Sequence, residues 1–478
     1  MGNSNFLEDK GGHYGIVIII AAFMIQFLAF GIAESIGIYN IEFLDNFDTT
    51  ATDVSLIGAI NIGVFLGAGP VASYLMNKFG YREICLAGSV LSTVGLVCVP
   101  FAPSMHALYV FYGLFTGLGY CLAYIPSHVL SGLYFERHRS LATGVVTSGS
   151  GLGAVIFPIL IQYLIEEYTW QGSFFILACL NLQACVFAAL LRPLSAEKIK
   201  DSDSQLDRTK NIEQEKMLLG DKCVEDENAA ALEKNGNQSH VEETTSKKLN
   251  KKWKERYSNI FGNFNFVIYF ISNLLWNMGV SIIMVFGAEY FTLKGQSKVD
   301  ASQLVMLFGL GTFFGGILSG ALGNVRQLNR IWIYNVGTLV TGICSLIFPA
   351  EIFHSYTGFA FLCFSWGIWF GVILGLLVVV LADILSTHAL GDGMGYLMFA
   401  NGAGCLSGPP LAGLLVDLYG GFDSAFYLSG VVTVLACIIM IAIPIKHRCH
   451  PVMQLQVDHH ITKSELVILN SAEGGNEL

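Results

Sequence analysis

The fold of this chain is decided by segments such as residues 15–39, which read GIVIIIAAFMIQFLAFGIAESIGIY and carry one charge, at Glu34. About 20 apolar residues in a helix cross the hydrocarbon core of a bilayer. We number this segment span 1; eleven similar segments, spans 2 to 12, follow at 54–76, 83–101, 106–132, 141–165, 173–192, 262–288, 302–323, 331–350, 356–385, 391–417 and 423–446. The sequence therefore predicts an all-α polytopic membrane protein with twelve transmembrane helices.

The composition excludes an ordinary soluble protein. Of 478 residues, 53% are hydrophobic and 13% charged, whereas soluble domains carry about 25% charged residues. Residues 195–258 alone hold 13 Lys+Arg and 14 Asp+Glu, with few aromatic residues. Such a segment cannot bury enough apolar area to offset the entropy of ordering. We therefore interpret the insert as a disordered linker.

An internal repeat indicates how the spans are grouped. Residues 63–67 in span 2 read GVFLG, and residues 311–315 in span 8 read GTFFG. Matching helices six apart suggest two six-helix halves related by an axis along the membrane normal, which is the major facilitator fold (6+6). The predicted divisions are an N-terminus at 1–14, an N-terminal half at 15–192, the linker at 193–258, a C-terminal half at 259–446 and a tail at 447–478.

Basic residues predict the orientation, because Lys and Arg are retained on the cytoplasmic side. With the N-terminus inside, 24 basic residues are cytoplasmic and only Lys294 and Lys298 lie outside. Both termini and the linker are therefore predicted to be cytoplasmic.

The stretch before span 5 carries a family signature. Residues 134–153 read YFERHRSLATGVVTSGSGLG, which closely resembles the signature of the monocarboxylate transporter family (solute carrier family 16). The positions that carry the match are Tyr134, Arg137, Arg139, Gly144, Gly149 and Gly153. Residues 77–82, with Lys78 and Arg82, look similar to the facilitator loop between helices 2 and 3. The resemblance implies that these residues serve gating of the cytoplasmic face, in a transporter that works by alternating access.

The sequence departs from the lactate-type members at their charged site. Those members, as the resemblance implies, use a lysine in the first helix and an aspartate and an arginine in the eighth. Here Glu34, Thr312 and Gly316 occupy the aligned positions. A buried carboxylate substrate needs a compensating cation or a dense set of donors, and spans 7 to 12 contain no deep Lys or Arg. The chain is thus a divergent, non-lactate-type member.

Several span residues are candidates for the substrate site. Glu34 is the only carboxylate well inside a span, and intramembrane ionisable residues usually bind substrate or protons. Phe370 matches the family's substrate-facing aromatic, Leu374 makes the cavity more apolar, and Trp366 shares a face with Phe370. Polar candidates inside the spans are Asn61, Tyr124, Thr312 and Asn401, although hydrogen bonding between helices is an alternative role for each.

These observations lead to one leading hypothesis and two alternatives. The chain is expected to move small organic monocarboxylates or related zwitterions across the plasma membrane, by facilitated or atypically coupled transport. One alternative is a proton-coupled monocarboxylate symporter in which Glu34 carries the proton. A more remote alternative is a non-transporting sensor or scaffold whose linker binds partners.

Other partners and chemistries follow from the same observations. No nucleophile with a base, phosphate loop or metal cluster is apparent, so an enzyme is disfavoured and no cofactor, metal site or nucleic-acid partner is expected. The resemblance suggests a single-span immunoglobulin-like ancillary protein as a partner, besides the substrate, a possible proton and the lipid bilayer.

The predicted orientation can be tested with inserted epitope tags. We expect a tag at residue 220 to bind antibody only after cells are permeabilised, because the linker is predicted to be cytoplasmic. A tag between Lys294 and Lys298 is the control and should be detected on intact cells. Detection of the linker tag on intact cells would contradict the orientation.

Overall fold

The computed structural model describes residues 13–47, 49, 51–135, 138–192, 260–325, 327–385, 389–419 and 421–449, nearly all of them helical. The predicted linker, most of the predicted tail and Arg137 lie outside the described residues. The helices form twelve spans in two six-helix halves, as the sequence predicts.

The first four spans bend more than the apolar pattern predicts. Span 1 is the helix Tyr14–Glu34, continued by a 3₁₀ segment Ser35–Tyr39 and by a helix Asn40–Phe47. Span 2 consists of Ala51–Gly67 and Gly69–Phe79, bent by 46° at their junction. Span 3 is Tyr81–Cys98, and span 4 runs through Met105–Leu108, a π-helical segment Tyr109–Thr116 and Gly117–Tyr134.

Spans 5 and 6 form one helical segment, Arg139–Leu190, which is broken at Thr169. Its 52 residues would extend for about 78 Å if straight, more than twice the thickness of a bilayer. Thr169 has φ 64° and ψ 167°, and the chain reverses there. The hydroxyl of Tyr14, at the start of span 1, donates a hydrogen bond of 2.8 Å to the Leu190 carbonyl, so span 6 ends beside the start of span 1.

The C-terminal half is more regular. Its spans 7 to 12 are the helices Phe264–Leu293, Lys298–Gly323, Arg330–Ile347, Tyr356–Ile384, Leu390–Tyr419 and Asp423–Cys449. Asn and Ser side chains cap the starts of four of these helices, which satisfies backbone N–H groups that have no partner within the helix.

The described helices account for twelve crossings. Nine segments are long and apolar enough to cross a membrane, and the bent pair in span 2 is a tenth. Division of Arg139–Leu190 at Thr169 adds one crossing, and the 30-residue helix Leu390–Tyr419 is the last. We call the side on which span 6 ends and span 7 begins the linker side, and the opposite side the far side.

The reversal between spans 5 and 6 generates a prediction on stability. Thr169 has the one positive φ among the described non-glycine residues, and such a conformation costs on the order of 1–3 kcal/mol for a residue with a Cβ. Thr169→Gly should therefore raise the melting temperature of the purified protein. Glu167→Gly, two residues earlier in the helix, is the control and should lower it, because glycine destabilises a helix interior by about 1 kcal/mol. Equal losses in both variants would contradict the strain.

Candidate functional site

The two halves meet on the linker side through closely packed backbones of spans 5 and 8. A Cβ atom on Gly144 would lie 2.5 Å from the Gly316 carbonyl oxygen and 2.7 Å from the Ser319 hydroxyl. Nearer the linker-side ends of spans 5 and 8, the Ser140 hydroxyl donates a hydrogen bond of 3.1 Å to the Gly323 carbonyl. Glycine is therefore required at the centre of this contact.

Spans 2 and 11 make the matching contact on the other flank of the molecule. The Ser73 hydroxyl donates to the Gly391 carbonyl at 2.7 Å, and the Asn77 amide donates to the Asp392 carboxylate. Nearer the middle of the spans, a Cβ atom on Gly402 would collide with the backbone of Gly67. Two interfaces, each built from one span of either half, thus close the linker side.

A third contact, between spans 4 and 10, closes the centre of the linker side. A Cβ atom on Gly132 of span 4 would lie 2.9 Å from Val378 of span 10. Beside it, the Thr143 hydroxyl of span 5 donates to the Gly375 carbonyl at 2.9 Å. This contact forms the floor of the space between the halves.

The space between the halves is expected to open toward the far side. In the described part of the chain, the side-chain hydrogen bonds of Ser73, Asn77, Ser140 and Thr143 join the halves on the linker side. Glu34, at the far-side end of the first helix, has an exposed side chain. Because this end of span 1 lies on the far side, we expect the carboxylate near the mouth of this space.

The helix spacing indicates where Tyr124 and Phe370 lie relative to the contact between Gly132 and Val378. Tyr124 precedes Gly132 by eight residues in span 4, and Phe370 precedes Val378 by eight residues in span 10. Eight residues are about 12 Å along a helix and return close to the same face. The two rings are therefore expected on opposite sides of the space, toward the far side of the floor.

The N-terminal wall combines aromatic rings with one polar group. The half-buried ring of Phe30 in span 1 lies 5.4 Å from the Tyr124 ring and 5.0 Å from the Phe65 ring. One turn beyond Tyr124, buried His128 shares a hydrogen bond of 2.8 Å with Gln26. That bond fits a structural role for the histidine.

The C-terminal wall is an aromatic stack. Phe370 is half-buried, and its ring stacks on Trp366 with centroids 5.1 Å apart and planes at 15°. On its other side the Trp276 ring of span 7 lies at 5.6 Å. Leu374, one turn toward the linker side, is also half-buried. The predicted Trp366–Phe370 face is thus present, with a third ring that the sequence reasoning missed.

Three polar candidates are placed inside helix contacts. The Asn61 amide donates to the Tyr112 carbonyl at 2.7 Å, which ties span 2 to span 4. The Thr312 hydroxyl donates to the Phe308 carbonyl one turn earlier. Asn401 is 3% exposed, and its Oδ1 has no hydrogen-bond partner among the described residues. The Oδ1 atom of Asn61 likewise has no partner among the described residues, so each of the two asparagines keeps one free acceptor.

The signature residues occupy the linker side and the N-terminal half. The Tyr134 hydroxyl donates to the Arg192 carbonyl at 2.5 Å, and the buried Arg139 guanidinium donates to the Gly132 carbonyl at 2.8 Å. Lys78 and Arg82 are exposed at the linker-side end of span 2 and start of span 3. Whether these basic residues gate transport stays a prediction.

Two signature glycines have a packing role of their own. Gly149 and Gly153 of span 5 lie against the backbone of span 1, at Phe23 and Phe27, where a Cβ atom would collide with a carbonyl oxygen. They therefore hold spans 1 and 5 together within one half, whereas Gly144 faces the other half.

Some residues of the site could not be found from the sequence reasoning above. Trp276 and Phe30 are apolar residues in apolar helices, and only contact with span 10 or span 4 distinguishes them. For Asp392, the sequence offered one signal: a carboxylate at the start of span 11. Among the described residues, no group of three or more His, Cys, Asp or Glu side chains is arranged to hold a metal ion.

Comparison with known proteins agrees with this architecture. The model of the Major Facilitator Superfamily matches residues 17–405 and 297–452. Similar proteins include Monocarboxylate transporter 14 of Mus musculus, 26% identical over 91% of either chain, and Monocarboxylate transporter 12 of Xenopus laevis, 30% identical over 88% of this chain and 86% of the relative. Among solved structures, the proton:xylose symporter XylE bound to 6-bromo-6-deoxy-D-glucose superimposes with a TM-score of 0.65. The superposition covers 90% of this chain and 95% of the XylE chain, at 15% sequence identity. This likeness concerns the fold alone.

The contact at Gly144 predicts the effect of a side chain there. Gly144→Val should lower transport at least tenfold, because the added atoms would collide with Gly316 and Ser319 and keep the linker side from closing. A Cβ atom on Gly413, in span 11, would meet nothing within 4 Å. Gly413→Val, brought to the same surface level, is therefore the control. Tracer uptake measures both, and unimpaired uptake by Gly144→Val would contradict the contact.

Proposed function

This chain belongs to the monocarboxylate transporter family of the major facilitator superfamily, and we propose that it carries small organic monocarboxylates or related zwitterions by alternating access. The observation that carries the proposal is the geometry of the space between the halves. This space is closed on the linker side, bounded by aromatic rings and opened toward the far side beside one exposed carboxylate, Glu34.

The charges of the spans favour a zwitterion over a simple anion. No Lys or Arg lies deep in a span, and an unpaired anion is costly in a low-dielectric site. A zwitterion brings its own positive charge, which reduces that cost. Glu34 can pair with the positive group of such a substrate. Candidate substrates are creatine, carnitine and similar zwitterions.

Alternating access follows from the contacts that close the linker side. Opening that side requires separation of spans 5 and 8, spans 2 and 11, and spans 4 and 10. The connecting bonds run mostly from hydroxyl groups to backbone carbonyls, and each such bond contributes about 0.5–1.5 kcal/mol. Substrate binding can therefore shift the balance between the two states.

A proton-coupled symporter is the second candidate. Glu34 is the one carboxylate that the sequence places well inside a span, and a carboxyl group there could carry a proton together with a monocarboxylate. In that case the uptake of lactate would rise with acidity outside. A sensor or scaffold that does not transport is disfavoured by the glycine contacts between the halves, which permit movement.

The cellular setting completes the proposal. We place the protein in the plasma membrane with both termini and the linker side in the cytoplasm, which makes the described state outward-facing. A single-span immunoglobulin-like partner for surface delivery is part of the same proposal.

Tracer uptake in cells that express the wild type or Glu34→Gln tests the substrate class. Lactate, pyruvate, creatine and carnitine are compared at pH 6 and pH 7.5. We expect creatine or carnitine uptake that changes little with pH and falls at least tenfold in Glu34→Gln, because the carboxylate that pairs with the positive group is lost.

Glu42→Gln is the matched control for this experiment. Glu42 lies in the helix that continues span 1 beyond Tyr39, so the same loss of charge is made outside the space between the halves. Lactate uptake that is stimulated at pH 6 and abolished in Glu34→Gln would instead establish the proton-coupled alternative. No uptake of any probe by well-expressed wild type would contradict transport of this class.

A further inference from the structure

The indole N–H of Trp276 is a hydrogen-bond donor that has no acceptor among the described residues. The Trp276 side chain is 1% exposed. A buried N–H without a partner costs free energy, and tryptophan N–H groups usually find a partner when they are buried. The donor therefore calls for an acceptor that comes from outside the helices.

A neighbouring tryptophan shows the usual arrangement. Trp366 is equally buried, at 1% exposure, and stacks on the same ring, Phe370. Its indole Nε1 donates to the Ser345 hydroxyl at 3.3 Å. The two tryptophans thus differ in one respect: the N–H of Trp366 is used within the C-terminal half, and the N–H of Trp276 is free.

The free donor lies at the central site rather than at the periphery. The Trp276 ring is 5.6 Å from Phe370, which is half-buried and lies above the contact between Gly132 and Val378. In the neighbouring span 11, Cys405 donates to Asn277, the residue after Trp276, at 3.8 Å. Trp276 belongs to span 7 of the C-terminal half, and Glu34 ends the first helix of the N-terminal half.

We propose that the indole N–H of Trp276 binds the carboxylate of the substrate on the C-terminal wall, while Glu34 on the N-terminal side pairs with its positive group. This inference rests on the proposed transport function and deepens it, because it assigns the two ends of a zwitterion to the two halves. A carboxylate oxygen accepts from N–H donors, and charged acceptors make the stronger hydrogen bonds.

Binding in this mode requires a side chain to move. The Trp276 Nε1 atom is closed to solvent in the described state, and Phe370 is the half-buried ring stacked beside it. Displacement of Phe370 by the substrate would expose the N–H and close the aromatic wall around the ligand. A substrate held at both ends also draws the halves together, as alternating access requires.

The test compares carboxylate and carboxamide forms of the same ligand on the purified full-length protein. The probes are carnitine against carnitinamide and lactate against lactamide, and Kd is measured from the ligand-dependent rise in melting temperature. The wild type should prefer the carboxylate form of the ligand that it binds. Trp276→Phe, which keeps an aromatic ring and loses the donor, should reduce this preference about 10- to 100-fold.

Trp366→Phe is the matched control, because it makes the same chemical change on the other face of Phe370. It should alter the affinity for carboxylate and carboxamide forms alike and leave their ratio as in the wild type. Trp276→His, which retains a ring N–H, is the second variant. Trp276→His should recover part of the preference for the carboxylate form. If Trp276→Phe does not fold, Trp276→His can be compared with the wild type in its place.

The outcomes separate this inference from the proposed transport function. A wild type that binds and transports carnitine, with an unchanged carboxylate preference in Trp276→Phe, would overturn the role of Trp276 and leave transport intact. Loss of preference in Trp276→Phe together with no uptake by the wild type would support the binding role and contradict transport. Failure of the wild type to prefer either carboxylate would overturn both the inference and the substrate class.

Discussion

The two halves of this transporter approach each other closely because glycine lies where their helices cross. Lipid provides no hydrophobic force between helices, so contact between spans depends on small residues and on hydrogen bonds. At Gly144 and Gly316, and again at Gly402, backbone lies where a side chain would otherwise stand. The closed linker side, the floor of the central space and the opening toward the far side all depend on this close approach.

The same constraint explains why the closure can be reversed. Between the halves, Ser73, Ser140 and Thr143 donate to backbone carbonyl groups, and Asn77 donates to Asp392. Two ion pairs, Lys294–Asp423 and Arg330–Asp383, lie within the C-terminal half. Between the halves, neutral hydroxyl donors form three of these four hydrogen bonds, and each such bond is weak enough to exchange between two states.

The central site differs from that of the lactate-type members in the distribution of charge. Where those members are expected to hold a lysine, this chain has Glu34, and no cation lies deep in the spans. The aromatic wall of Trp276, Phe370 and Trp366 supplies apolar surface and one free N–H donor instead. The proposed zwitterionic ligand suits this arrangement, because each of its charges would meet a group of one half and neither half would have to neutralise a net charge alone.

The sequence by itself determined the number of spans, their division into two sixes and the family, because a bilayer demands about 20 apolar residues per helix and the stretch 134–153 is long and specific. It also placed Trp366 and Phe370 on one face, since residues four apart in a helix are neighbours. Only the tertiary structure decided that Trp276, 94 positions before Phe370, completes the stack. The closure of the linker side likewise depends on contacts between distant helices, and local apolar patterns do not encode which helices meet.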